Sequence, residues 1–171
     1  MLAVSLNGTK DDIRTWIMPI NRKHPIEELM QALREEFPRG IGGQEKVFFE
    51  YVMLRGVNDT LEDANRLLKI TAGVPCKVNL IPFNAHEGSE FSPSDRDDVM
   101  RFRDLLVKKG MVCTVRESRG DDRMAACGQL GKGPQGVKPG SRAPPRMKPP
   151  QQFLEHVSSG RGDDIGSLAA Q

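Results

Sequence analysis

Four runs suited to β-strands recur along the chain, and each is separated from the next by a stretch with helical periodicity. They are "LAVSLN" at 2–7, "KVFFEYVML" at 46–54, "CKVNLIPF" at 76–83 and "MVCTVRES" at 111–118. Between them Ile26, Leu29, Met30, Leu33 and Phe37 repeat at helical spacing, as do Leu61, Ala64, Leu67 and Leu68, and again Val99, Phe102, Leu105 and Leu106. A helix between two strands returns the chain to the end where it started, so the strands run parallel. The expected class is therefore α/β, with parallel strands alternating with helices. A closed barrel and an open doubly wound sheet both satisfy this pattern, and both place their sites at the carboxyl ends of the strands.

Local signals set the element boundaries. Thr9 is placed to cap a short first helix, with Asp12 three residues on in capping-box position. That helix ends before Pro19, and Pro25 suits the first turn of the second. Asn58-Asp59-Thr60 opens the third helix, and Gly73 sits where a closing glycine belongs. Ser92 or Ser94 is the expected cap of the fourth, which stops at Lys108-Lys109-Gly110.

Composition changes near Gly131. Residues 131–171 hold six of the 12 prolines and seven of the 17 glycines without periodicity, which predicts a disordered tail after a body at 1–130. The tail carries six basic and three acidic residues, net +3. The whole chain is +2, so the body is −1, and charge alone points to no nucleic-acid partner. Three scattered cysteines, Cys76, Cys113 and Cys127, suit a reducing compartment rather than a disulfide framework. No CxxC pair supplies a self-contained zinc site. No apolar run is long enough to cross a bilayer. The opening "MLAVSLNGTKDD" lacks a signal peptide's basic start and reads as a strand that begins at once. A domain opening inside a strand is expected to lack what precedes it.

The strand ends bring polar groups to one rim: Ser5-Leu6-Asn7, Leu54-Arg55, Pro82-Phe83-Asn84 and Ser118-Arg119, with Cys127 a short loop beyond. By strand parity Ala3, Ser5 and Asn7 share a face opposite Leu2, Val4 and Leu6. Glu50 lies with Phe48 and Val52, and Asn79 points away from Val78 and Leu80. Such polar residues form an internal network or meet a ligand, because unpaired burial costs about 1–3 kcal/mol. Glu50 is either a salt-bridged structural residue or an acid with a task. Cys76 and Cys113 sit inside strands and belong to the core. Cys127 is either packing filler or a reactive thiol whose pKa Arg119 and Arg123 lower. His24, His86 and His156 have no partner spacing, and no phosphate-cradling glycine motif is present.

The blocks "LAVSLNGTKDDIRTWIMPINRK", "KVFFEYVMLRGVNDTLEDA", "CKVNLIPFNAHEGSEF" and "RGDDRMAACGQLG" resemble, in order, the carboxyl-terminal half of the radical S-adenosylmethionine RNA methyltransferases that methylate adenine at C2, the RlmN type. The resemblance runs from Leu2 to about Gly131. It implies a partial TIM-like barrel carrying S-adenosylmethionine and a 4Fe-4S cluster. Ser5, Leu6 and Asn7 match a segment that contacts S-adenosylmethionine, with Asn7 standing where the family usually has histidine. Asn84 matches another such contact. Cys127 matches the cysteine that first takes a methyl group from one S-adenosylmethionine. In the family a second S-adenosylmethionine yields a 5′-deoxyadenosyl radical, which takes hydrogen from that methyl. The methylene radical adds to adenine C2, and a partner cysteine forms a disulfide with the first as product leaves.

The implied partners are ribosomal and transfer RNA as substrates and an electron donor for the cluster. No membrane is implied, the expected state is a monomer, and the family's default compartment is the cytoplasm, with plastid or mitochondrion open to a chain whose transit peptide lies upstream. The family's CxxxCxxC is absent from the 171 residues, and no residue here is expected to bind metal. The expectation is a truncated chain, inactive alone. The alternatives are a non-catalytic binding module and a generic α/β barrel metabolic enzyme.

Overall fold

The computed structural model describes residues 1–38, 47–85, 89–116 and 149–150. Strands β1 (Leu2–Ser5), β2 (Val47–Met53), β3 (Cys76–Pro82) and β4 (Val112–Val115) form one sheet in the order β1-β2-β3-β4, every pair parallel. Helices α1 (Asp11–Ile17), α2 (Ile26–Glu36), α3 (Leu61–Ile70) and α4 (Arg96–Lys108) fill the crossovers, with a 3-10 turn at Pro19–Arg22. A doubly wound sheet reverses its strand order partway; sequential order is that of a barrel segment. The partial TIM-like reading fits this order.

Alternation along β2 is complete: Val47, Phe49, Tyr51 and Met53 are buried, while Phe48, Glu50 and Val52 are half-buried. Cys76, Val78 and Leu80 continue the buried face on β3. Against it pack Met30 and Leu33 of α2, Ala64 and Leu67 of α3, and Val99, Phe102 and Leu106 of α4. The Tyr51 and Phe102 rings lie 5.6 Å apart. Each fully buried large side chain of this kind stabilises by about 1.5–3 kcal/mol. The opposite face of the sheet is the more open one, and it follows the polar parity expected of the strands.

Several ends form as the sequence predicts. Thr60 caps α3 in a reciprocal capping box with Asp63, and Gly73, at a φ of 90°, closes it. Two expected caps are corrected. Thr9 does not cap α1, whose first residue follows Lys10 without a side-chain cap; its hydroxyl donates instead to Asp63 Oδ1 at 2.7 Å. Neither Ser92 nor Ser94 caps α4, which follows Asp95; the Ser94 hydroxyl donates to Asp59 Oδ2 at 2.7 Å. In both cases a carboxylate from another element outcompetes the local helix end. Cys76 is buried and Cys113 partly so. Burial pushes the Cys113 thiol up to about 12, against a smaller opposing effect of Arg103, so it is held neutral and unreactive. No helix among the described residues is long and apolar enough to cross a membrane. The expected tail at 131–171, apart from residues 149–150, lies outside the described residues.

Candidate functional site at the carboxyl rim of the sheet

Ser5, Leu6 and Asn7 leave β1 along a tightly held path. The Leu6 amide extends the ladder by donating to Glu50 O at 2.9 Å. Asn7 then turns into the left-handed region, φ 53°, which asparagine tolerates better than most residues. Its side chain supplies the next rung: Oδ1 accepts the Val52 amide at 2.9 Å, where a backbone carbonyl would otherwise serve. Its Nδ2 donates to Met18 Sδ at 3.2 Å.

Two buried side chains grip this segment from behind. Arg14, on α1, donates from Nε to Leu6 O at 3.0 Å and from Nη2 to Ser5 O at 3.4 Å. Its Nη1 donates to Asn21 Oδ1, and Asn21 in turn donates to Asp11 Oδ1 at 2.8 Å. Burial lowers the Arg14 pKa, and the nearby Asp11 charge works against that shift. Asn58, fully buried in the turn after β2, donates from Nδ2 to Asn7 O at 2.9 Å and to Val52 O at 2.8 Å. Its Oδ1 accepts the Leu54 amide and its carbonyl accepts the Tyr51 hydroxyl, both at 2.8 Å. Gly8 makes the approach of α1 possible, since a Cβ there would lie 3.1 Å from Arg14 Cβ and 3.2 Å from its backbone. Thr9 ties the same loop to α3, where Asp63 also receives Arg66 at 2.6 Å.

These contacts sort the four candidate ligand residues. The Leu6 side chain is buried in the core, and the Asn7 carboxamide is committed to Val52 and Met18. Ser5 and Asn84 are exposed, and their side chains form no hydrogen bond among the described residues. Asn84 follows Phe83, whose ring meets Phe91 edge-on at 6.4 Å; Phe91 packs on Trp16 of α1 at 5.0 Å. That aromatic series links the end of β3 to the helix that grips β1. Cys127, Arg119 and Arg123 lie outside the described residues.

The open face of the sheet carries a transverse polar row. Register pairs Ser5 with Glu50, Glu50 with Asn79, and Asn79 with Thr114. The Thr114 hydroxyl donates to Asn79 Oδ1 at 3.0 Å. Glu50 forms no ion pair or hydrogen bond through its side chain among the described residues, so the salt-bridged reading of it is not what these residues display. Beside the row, Lys77 Nζ stands 5.3 Å from the Phe48 ring centre. Among the described residues no three His, Cys, Asp or Glu side chains gather into a metal site. Sequence reasoning picked out the rim residues; it missed Arg14, Asn21 and Asn58, whose only signal was polarity beside an apolar helical stripe or in a turn.

No family model matches the chain. It is 54% identical over 129 residues to the dual-specificity RNA methyltransferase RlmN of Pelobacter propionicus, covering 75% of this chain and 36% of that protein. It is 51% identical over 129 residues to the RlmN of Geobacter sulfurreducens, covering 75% and 35%. A radical SAM methyltransferase from Sphaerobacter thermophilus superposes with a TM-score of 0.67 at 43% identity, over 75% of this chain and 37% of that one. A domain of a pyruvate-formate lyase-activating enzyme from Bacteroides vulgatus, TM-score 0.52 and 13% identical over 68% of this chain and 66% of its own, shares the fold alone. The sequential parallel sheet with its polar rim is thus of the radical SAM class. Within that class the chain is similar to RlmN RNA methyltransferases over three-quarters of its own length, and it spans about a third of the length of the relatives it matches.

Proposed function

We propose that this chain contributes part of the active site of an enzyme that methylates adenine C2 in ribosomal RNA, and in transfer RNA, with S-adenosylmethionine as methyl source. The observation that carries the reading is the 54% identity to a dual-specificity RNA methyltransferase over three-quarters of the chain. The rim supports it. Ser5 presents a hydroxyl and Asn84 a carboxamide, both exposed and uncommitted among the described residues, on strand ends braced against the same helix. That donor and acceptor set fits the amino, carboxylate and hydroxyl groups of S-adenosylmethionine. Leu6 and Asn7 contribute by fixing the path of the chain, since their side chains serve the core and the ladder.

Bound S-adenosylmethionine supplies an electrophilic methyl group. Cys127 is proposed to take it as a thiolate: the sulfur attacks the methyl carbon, the carbon–sulfonium bond breaks, and S-adenosylhomocysteine leaves with the electron pair. The described residues offer no fit for an iron–sulfur cluster, and the three cysteines of the sequence form no CxxxCxxC. In this reading the cluster's ligands come from outside these 171 residues, and the isolated chain makes no 2-methyladenosine. A generic α/β barrel metabolic enzyme is disfavoured by the same identity. A binding module without catalysis is the remaining alternative.

Equilibrium dialysis of labelled S-adenosylmethionine against the purified chain tests the rim. Saturable binding is expected, weakened by Ser5→Ala and by Asn84→Ala; its absence would overturn the assignment. Peptide mass analysis of the protein from cells that make 2-methyladenosine is expected to find one extra methyl on Cys127. An unmodified Cys127 in protein that still methylates RNA would remove it from the mechanism.

A further inference from the structure

Three consecutive carbonyls, those of Ser5, Leu6 and Asn7, each receive a hydrogen bond from one of two buried side chains. Arg14 serves the first two and Asn58 the third. Arg14 is 4% exposed and Asn58 fully buried. Asn58 also closes the end of β2 through Val52 O and the Leu54 amide, whereas Arg14 serves no strand or helix ladder. A buried guanidinium is among the most costly groups to desolvate. Every nitrogen is nevertheless engaged: Arg14 also reaches Asn21 Oδ1 and His24 O, and Asn58 uses both amide hydrogens and its Oδ1. Gly8 is what lets Arg14 come this close. The strand end therefore does not rely on ligand to set its shape. The left-handed turn at Asn7, and with it the direction in which Ser5 faces the open side, is held from behind before anything binds.

We infer that Arg14 and Asn58 are positioning residues that hold Ser5-Leu6-Asn7 in its ligand-receiving conformation, Arg14 acting through the Ser5 and Leu6 carbonyls and Asn58 through Asn7. The inference rests on the reading of this segment as a contact for S-adenosylmethionine. It adds that affinity depends on two further residues, which act through the backbone of the segment.

Two conservative substitutions separate positioning from general support. Asn58→Asp keeps an oxygen for the Leu54 amide but replaces the donor to Asn7 O with a second acceptor. Arg14→Lys keeps the charge but loses the fork that spans Leu6 O and Asn21. Amide hydrogen exchange by NMR on the 171-residue chain, without ligand, reads the local effect. In Asn58→Asp the Val52 amide, bonded to Asn7 Oδ1, is expected to exchange about tenfold faster while Leu54 stays protected. In Arg14→Lys the Leu6 amide is expected to show the same acceleration. Phe49, Val78 and Leu80 should stay at wild-type rates in both. Dialysis with labelled S-adenosylmethionine should then show about tenfold weaker binding for each variant, the worth of one hydrogen bond to a charged or buried partner.

Unchanged Val52 and Leu6 exchange would overturn the inference. So would acceleration spread evenly over the core, which marks plain destabilisation, or local acceleration with undiminished affinity. If Asn58→Asp does not fold, Arg14→Lys decides by the same two measurements. Wild-type chain that binds no S-adenosylmethionine would sink the ligand reading, while the exchange pattern would still decide whether the grip exists.

Discussion

The two ends of the sheet are built from different materials. Towards the amino ends of the strands, Val47, Val74 and Cys76 close an apolar core. A cleft of about 410 Å³ there is lined by Leu68, Val74, Lys109 and Met111 among others, and among the described residues Thr71 is its only buried polar one. At the carboxyl ends Thr9, Arg14, Asn21, Asn58 and Asp63 are all buried and all hydrogen-bonded. Apolar packing tolerates small shifts, because its energy is spread over many weak contacts. Buried polar groups do not, because each is satisfied in one geometry only. The difference teaches that the apolar core runs the length of the sheet, through Leu6 and Met53 as well as Val47, while definition of shape is concentrated at the carboxyl ends.

The largest expected effect falls in the apolar core between sheet and helices. Phe102→Ala should lower stability by about 3–5 kcal/mol in denaturant unfolding. A loss under about 1 kcal/mol would mean the core does not depend on the Tyr51–Phe102 contact, and the contrast would weaken. Arg14→Met comes next. It leaves Leu6 O and Asn21 Oδ1 without their donor, and a loss of about 1–3 kcal/mol is expected in the same assay. Gly8→Ala sharpens the comparison from the steric side. A methyl 3.1–3.2 Å from Arg14 forces α1 outward, and about 1–2 kcal/mol should be lost. Full stability in that variant would show that the close approach is not required.

The smallest effect concerns pH. Burial raises the Asp59 pKa against the opposing hydrogen bonds from Ser94 and Gly56. Its folded value exceeds its unfolded one, so its favourable contribution is present at acid pH and is lost as pH rises through the folded value. Asp59→Asn should flatten that part of the stability–pH curve when unfolding is compared at acid and neutral pH. An unchanged curve would assign the slope to other carboxylates.

How much of this was readable in the sequence follows the same division. The helix-facing core was plain, since alternation in "VFFEYVM" and the Val99, Phe102 and Leu106 spacing are periodic signals that burial enforces. The strand ends were also plain, since the carboxyl-end rule needs only the elements. The caps of α1 and α4 were misjudged because Thr9 and Ser94 found carboxylates, Asp63 and Asp59, more than thirty positions away. The Arg14 and Asn58 grips were invisible for the same reason: no period relates position 14 to position 6, or 58 to 7. Side-chain to backbone bonds of this kind are specified by the fold and not by local pattern.

The row Ser5, Glu50, Asn79 and Thr114 ties chemistry to frame. Because side chains alternate, an insertion or deletion of one residue in the middle of any of the four strands would carry its member of the row into the hydrocarbon interior and push an aliphatic group out to take its place. Length changes in this protein are therefore confined to its connections, and the sheet itself admits substitution but not indels.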